Sequence, residues 1–328
     1  MTNRQTHKSP FVAIAAIVLL WAASNTSRAQ TIYVANENAT LDAFNIGTWA
    51  PLPGFTSINV GDLSTVFGIT VSGGDLYVAS TVSSSGTATI GVYNAATGAF
   101  IDSFSVLPRY AAPGGIAVSG NVLYVANYKP GNSNVLAYNA TTGVPIAGFT
   151  PPAGLTQPEG LAISGSDLYV ADLNNAVYEY NAVTGARIAA FNSPTGLDGP
   201  EEIVISGNDL YVANTFSGEV GEYDATTGAA IAEFTPVTGL TMPVGVAISG
   251  TDLFVSSQGA YPNYQGLIEH YNATTGASLG IRSTGQEYPQ YLAIAPVPEP
   301  GAWALIAGGL GLLFGKQRLR GARQIKLW

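Results

Sequence analysis

Residues 158–188, PEGLAISGSDLYVADLNNAVYEYNAVTGARI, decide the fold. They hold three short runs rich in Val, Ile, Leu and Tyr: GLAIS, DLYVA and AVYEY. Runs of this length and chemistry are strands. SGSD joins the first two as a tight turn, with Gly165 at positive φ. NAVTG closes the last: Asn181 opens a turn through its side chain and Gly185 ends it in the left-handed region.

The same lines recur along the chain. The DLYVA line carries its aromatic at Tyr33, Tyr77, Tyr124, Tyr169, Tyr211 and Phe254, with spacings of 44, 47, 45, 42 and 43. A GLAISG-like line precedes it five times and appears once more as YLAIAP (291–296). Downstream come a line ending in YN or YD and a line such as FIDSF, PIAGF, RIAAF or AIAEF. Four strands in about 44 residues is one blade of a β-propeller. With the strands named A to D from the channel outward, the chain starts in a B strand and ends in an A strand. The sequence thus predicts an all-β, six-bladed propeller of four-stranded blades, the first blade closed by the C-terminal strand. FNIGTWAPLPGF (44–55) predicts that blade 1 lacks the NATTG hairpin.

The two ends read differently. Arg4, His7 and Lys8 precede the apolar run Phe11–Ala23, and Ser27-Arg28-Ala29 offers small residues for cleavage before Gln30. This predicts a secretory signal peptide over 1–29, a propeller over 30–296 and a sorting or anchor segment over 297–328. The last begins with Pro298-Glu299-Pro300, continues through an apolar stretch over 302–315, and ends in a basic cluster with Arg318, Arg320 and Arg323. At about 1.5 Å per residue the apolar part is short for a bilayer, and the cluster after it stops transfer. The pattern resembles the PEP-CTERM sorting tail. That resemblance implies a Gram-negative host producing extracellular polysaccharide, transient anchoring in the inner membrane, and an exosortase-type membrane protease as partner. Display at the cell surface or release follows from it.

Between the ends the repeat, most fully in 158–188, resembles the NHL family of six-bladed propellers. The resemblance speaks to fold more than to function. Cysteine is absent, which excludes disulfides and thiol chemistry. All 21 acidic residues lie between Glu37 and Glu299 with only four basic ones, so this stretch carries net −17. Such a body repels nucleic acid.

Variable loops on a rigid scaffold are where binding lives. The A–B and C–D turns are alike and share one face; the B–C and D–A loops vary and share the other. Tyr128, Phe216, Tyr261 and Tyr264 on this variable face, with Asn127, Asp172 and Asn214 at the ends of B strands, are the candidates for a ligand. Aromatics beside amides and carboxylates suit sugars, and an extracellular protein is the other partner considered. Glu159, Glu201 and Glu202, from neighbouring blades, are the candidates for a metal; oxygen donors suit Ca²⁺, although no calcium-loop motif accompanies them and no cofactor is expected. His270 takes a C-strand slot that other blades fill with Val, Ala or Glu, and it reads as exposed. Propeller enzymes similar to this fold, such as streptogramin lyases, use histidines at the channel mouth. Their absence here favours a non-catalytic binding or matrix module; the alternative is a carboxylate-metal lactonase- or lyase-like enzyme.

Overall fold

The computed structural model describes residues 30–36, 38–60, 63–82, 87–106, 112–259, 266–282 and 288–295. The signal segment 1–29, the sorting segment with Pro298, Glu299, Pro300, Arg318, Arg320 and Arg323, and the loop with Tyr261 and Tyr264 lie outside the described residues.

Strands follow the repeat. Blade 1 contains β1 (Thr31–Asn36), β2 (Thr40–Asn45) and β3 (Ile58–Asn59). Blade 2 is β4 (Leu63–Ser72), β5 (Asp75–Val82), β6 (Thr87–Asn94) and β7 (Phe100–Ser105). Blade 3 is β8 (Ala112–Ser119), β9 (Val122–Tyr128) and β10 (Asn134–Asn139); blade 4 is β11 (Pro158–Ser164), β12 (Asp167–Asp172) and β13 (Ala176–Asn181). Blade 5 is β14 (Pro200–Ser206), β15 (Asp209–Asn214), β16 (Glu219–Asp224) and β17 (Val237–Thr238). Blade 6 is β18 (Pro243–Ser249), β19 (Asp252–Ser257), β20 (Leu267–Asn272) and β21 (Ser278–Arg282). β22 (Pro289–Ile294) returns to blade 1 as its inner strand, in the sheet order β22-β1-β2-β3. Pairing is antiparallel throughout, with Ile32 opposite Ile294 and Val34 opposite Leu292 at the closure.

The core lies in six wedges, one between each pair of neighbouring sheets. Ala162, Tyr169 and Ala171 of blade 4, for example, meet Ile203, Leu210 and Val212 of blade 5. Both faces of each B strand are covered, so successive residues pack into different wedges. Leu168 and Val170 face blade 3 while Tyr169 and Ala171 face blade 5. This is why the line reads as a continuous apolar run rather than an alternation.

The outer strand departs from expectation in four blades. β7 and β21 are regular, but in blades 1, 3, 4 and 5 the third strand first meets the outer segment at an isolated bridge: Phe44 with Pro51, Tyr138 with Pro145, Tyr180 with Arg187 and Tyr223 with Ala230; in blades 1 and 5 it pairs again with the two-residue β3 and β17. The segment then turns, and Phe55, Phe149, Phe191 and Phe234 meet Tyr33, Tyr124, Tyr169 and Tyr211 edge-on at 5.7–5.9 Å. These phenylalanines suggest a strand in the sequence, yet they serve as wedge fillers.

The hairpin in blade 1 is also a correction. Asn45 N–H donates to Ala50 O at 2.9 Å, and Asn45 Oδ1 accepts the Thr48 N–H at 2.9 Å. The same five-residue closure joins Asn94 to Ala99 and Asn181 to Ala186. Trp49, at φ 58°, stands where the other blades place Gly. A bulky residue in the left-handed region is strained. Its ring stacks on Phe44 and Phe254 at 5.9 and 5.7 Å, which offsets that cost.

Candidate functional site

Five hairpins on the turn face are near copies. Asn94, Asn139, Asn181, Asp224 and Asn272 each accept two backbone N–H bonds and one Thr hydroxyl through Oδ1, at 2.7–3.1 Å. Such turns are filled by their own bonds and offer little to a ligand.

The loop face is built on a buried layer. Asn36, Ser80, Asn127, Asp172, Asn214 and Ser257, at the B-strand ends, are each at most 3% exposed. A bulge after the recurring proline leaves Pro158 opposite Asp172, Pro200 opposite Asn214 and Pro113 opposite Asn127, beneath the loops. Asp172 accepts the N–H groups of Thr156, Gln157 and Asn174 at 2.6, 3.0 and 3.1 Å. Asn214 Oδ1 accepts the Asp198 N–H at 3.2 Å, and Asn127 donates to Asn134 Oδ1 at 3.0 Å. These residues position loops rather than face solvent.

Above Asn127 and Asp172 lies a groove of about 830 Å³. One wall is the β9–β10 loop, with Tyr128 and Pro130–Asn134; the other is the connection into blade 4, with Pro151–Gln157. Ser133 ties the walls by donating to Thr156 O at 2.8 Å, while Asp172 fixes Thr156 and Gln157 from below. Among the described residues no lining side chain is charged; the groove offers amides, hydroxyls, prolines and one phenol ring. Of the described sequence candidates Tyr128 lines this groove; Asn127 and Asp172 lie outside its lining, and Ser133, Thr156 and Gln157 are not singled out by the sequence. The Pro151-Pro152 pair was the available signal for the second wall. Phe216, 63% exposed, lies on another part of the same face.

The central channel, about 240 Å³, is lined by the inner strands of all six blades. Among the described residues Glu202 and Thr70 are its only polar lining side chains. Each inner strand pairs on one edge only, so the other edge turns its backbone toward the lumen. Inner strands crowd one another near the loop face: a Cβ on Gly160 would lie 2.6 Å from Glu201 O and 2.8 Å from Glu202 Cα.

The three glutamates gather at this end. Burial first, then the Glu201 charge, pushes the Glu159 carboxyl up to about 8. Burial likewise pushes Glu202 up to about 8, with smaller contributions from Glu201 and Glu159. Glu201 is raised by burial against an opposing hydrogen bond from Thr215. All three charges, after burial, raise the Tyr291 phenol. Among the described residues no group of three His, Cys, Asp or Glu side chains converges to hold a metal.

His270 is not exposed. It is 8% accessible, stacked on Phe254 at 4.7 Å, with Nε2 2.7 Å from Asp252 Oδ1. It fills the wedge beside blade 1.

A family model described as PQQ_2, outer membrane protein assembly factor BamB, matches residues 86–239. No curated protein matches the chain in sequence. Among solved structures, one from a crystal structure of a nidogen/laminin complex aligns with TM-score 0.63 at 12% identity, covering 81% of this chain and 98% of that one. A computationally designed protein, Ika8, aligns with TM-score 0.50 at 15% identity, covering 79% of this chain and 74% of its own. At these identities the likeness is one of fold, and that fold is a six-bladed β-propeller.

Proposed function

We propose that this chain is an exported, non-catalytic propeller that holds a neutral polysaccharide segment in the loop-face groove. The observation that carries this reading is the groove itself: preset by Ser133 and Asp172, uncharged, and walled by Tyr128. Neutral sugars are bound by amides and hydroxyls together with an aromatic face. The net −17 between Glu37 and Glu299 disfavours polyanions at long range. The one described histidine is committed to packing, which argues against a histidine-based lyase or hydrolase.

The match to the BamB family, whose description names an outer-membrane assembly factor, supports a setting in the cell envelope. The PEP-CTERM-like tail supports export, passage through the inner membrane by residues 302–315, and processing by an exosortase-type protease. The ring closes at β22, so cleavage near Pro298-Glu299-Pro300 would release it whole. The purified chain, tested on an array of neutral and uronic-acid glycans, should bind neutral polymers. Binding restricted to uronic-acid polymers, or to none while a peptide panel binds, would replace this reading. Mass spectrometry of the mature protein from its host should find the Lys/Arg tail removed; an intact Trp328 would make the segment a plain anchor.

A further inference from the structure

Four tyrosines on B strands cross a seam between blades. Each hydroxyl donates to the carbonyl that follows the Asn or Asp of the next blade's hairpin. Tyr33 reaches Ala95 O at 2.6 Å and Tyr124 reaches Ala182 O at 2.7 Å. Tyr169 reaches Ala225 O at 2.9 Å and Tyr211 reaches Ala273 O at 3.0 Å.

The two pairs differ in what stands opposite on the C strand. Tyr33 faces Ala43 and Tyr124 faces Ala137. Tyr169 faces Glu179 and Tyr211 faces Glu222. Glu179 Oε1 lies 3.1 Å from the Tyr169 hydroxyl, and Glu222 Oε1 lies 2.8 Å from that of Tyr211. A phenol has one proton to give. Here it has two oxygens in reach. If both are bare acceptors, one contact goes without a hydrogen. A proton on the carboxyl resolves this: the acid donates to the phenol oxygen, and the phenol donates to the carbonyl across the seam.

Other observations agree. Glu179 and Glu222 are 6% and 5% exposed. Glu222 Oε2 is buried without a partner, a costly place for an ionised oxygen. Among the described residues no cation compensates either carboxyl. Glu222 is faced by Tyr211 on β15, by Asp209 at the start of the same strand and by Glu233 on the outer segment. From blade 6 the apolar Val246, Leu253, Val255 and Ala273 and the phenol of Tyr271 pack into this wedge. Glu179 is faced by Tyr169 and Asp167 on β12. Asp224 of blade 5 acts on Tyr169, and the blade 5 side of that wedge is Ile203, Leu210, Val212, Ala225 and the phenol of Tyr223. Arg187 stacks over Tyr178, 4.7 Å from the ring centre. Burial raises both carboxyls.

We propose that Glu179 and Glu222 are proton-operated latches between blades 4 and 5 and between blades 5 and 6. As acids they complete the bridges to Ala225 and Ala273. On losing the proton, each carboxylate takes the phenol's hydrogen bond and the carbonyl across the seam is released. The folded chain holds these protons above the pH at which the unfolded chain gives them up. The two seams are therefore tightest in mild acid and loosen as pH rises.

The test is hydrogen exchange on the intact chain, with protection factors corrected for intrinsic rates. Four hairpin amides report: Gly228 and Gly276 behind the glutamate seams, Gly98 and Gly185 behind the others. From pH 5 to pH 9, protection at Gly228 and Gly276 should fall about tenfold relative to Gly98 and Gly185. Glu179→Gln with Glu222→Gln, which keeps a donor at every pH, should abolish that difference. An equal change at all four amides in the wild type, which needs no variant to fold, would overturn the proposal. So would a double variant that keeps the difference.

Discussion

The two faces of the ring use acidic residues in opposite ways. On the turn face Asp224 takes the place of Asn and accepts from Thr226, Thr227 and Asn208; the Thr227 hydroxyl bond foremost holds its carboxyl below the usual range. On the loop face Glu159 and Glu202 sit among inner strands with few donors, and burial lifts both. The lesson concerns repetition. The turn face repeats one set of bonds, so its chemistry is spent on closing hairpins. The loop face breaks the repeat, which leaves room for a groove and for protonated acids.

The largest expected effect sharpens that contrast through pH. Glu159 and Glu202 keep protons up to about pH 8 when folded, against an ordinary value of 4.5. Between those values the folded chain holds more protons than the unfolded one. Their contribution is thus full below pH 4.5 and is lost as pH rises to about 8. Urea unfolding should show stability falling by several kcal/mol over that window. Asp224 acts with the reverse sign: its contribution is present above its ordinary 3.8 and is lost only in stronger acid. A ring that gains stability from pH 5 to 8 would break the contrast.

A smaller effect comes from crowding at the loop-face end of the channel. Gly160→Ala drives a Cβ against the backbone of β14 and should cost about 1–3 kcal/mol in thermal or urea unfolding. Smaller again is Asn181→Ala, which removes the acceptor of three hairpin bonds and should cost about 1 kcal/mol. The same change at Asn94 or Asn272 should match it, because the geometry is repeated. Tyr128→Ala should stay within about 0.5 kcal/mol of wild type, since it lines a groove rather than a wedge.

Most of the ring was legible in the sequence. The Tyr or Phe of the B strand, the Gly of each tight turn and the Asn-to-Gly hairpins recur because every blade needs the same local geometry. Misreadings came where a residue's role is set by contacts outside its own strand pairing. Phe149 and Phe191 look like strand residues but pack edge-on against tyrosines. Trp49 hides a retained hairpin because stacking on Phe254 outweighs the preference for Gly at its φ. The B-strand polar residues read as a rim, yet the bulge after each proline sinks them beneath the loops. The groove was half legible: Tyr128 stood out as an aromatic in a variable loop, while Ser133 and Thr156 acquire their role only when two loops 23 residues apart meet.

The loop-face groove is the centre of the proposed function, and one titration addresses it. A neutral oligosaccharide identified on the array would be titrated calorimetrically into the wild-type chain, Tyr128→Ala and Asn181→Ala. The prediction is binding that weakens at least tenfold in Tyr128→Ala, which remains as stable as wild type, and is unchanged in Asn181→Ala, which does not. Equal binding by wild type and Tyr128→Ala would place the ligand elsewhere and contradict the account.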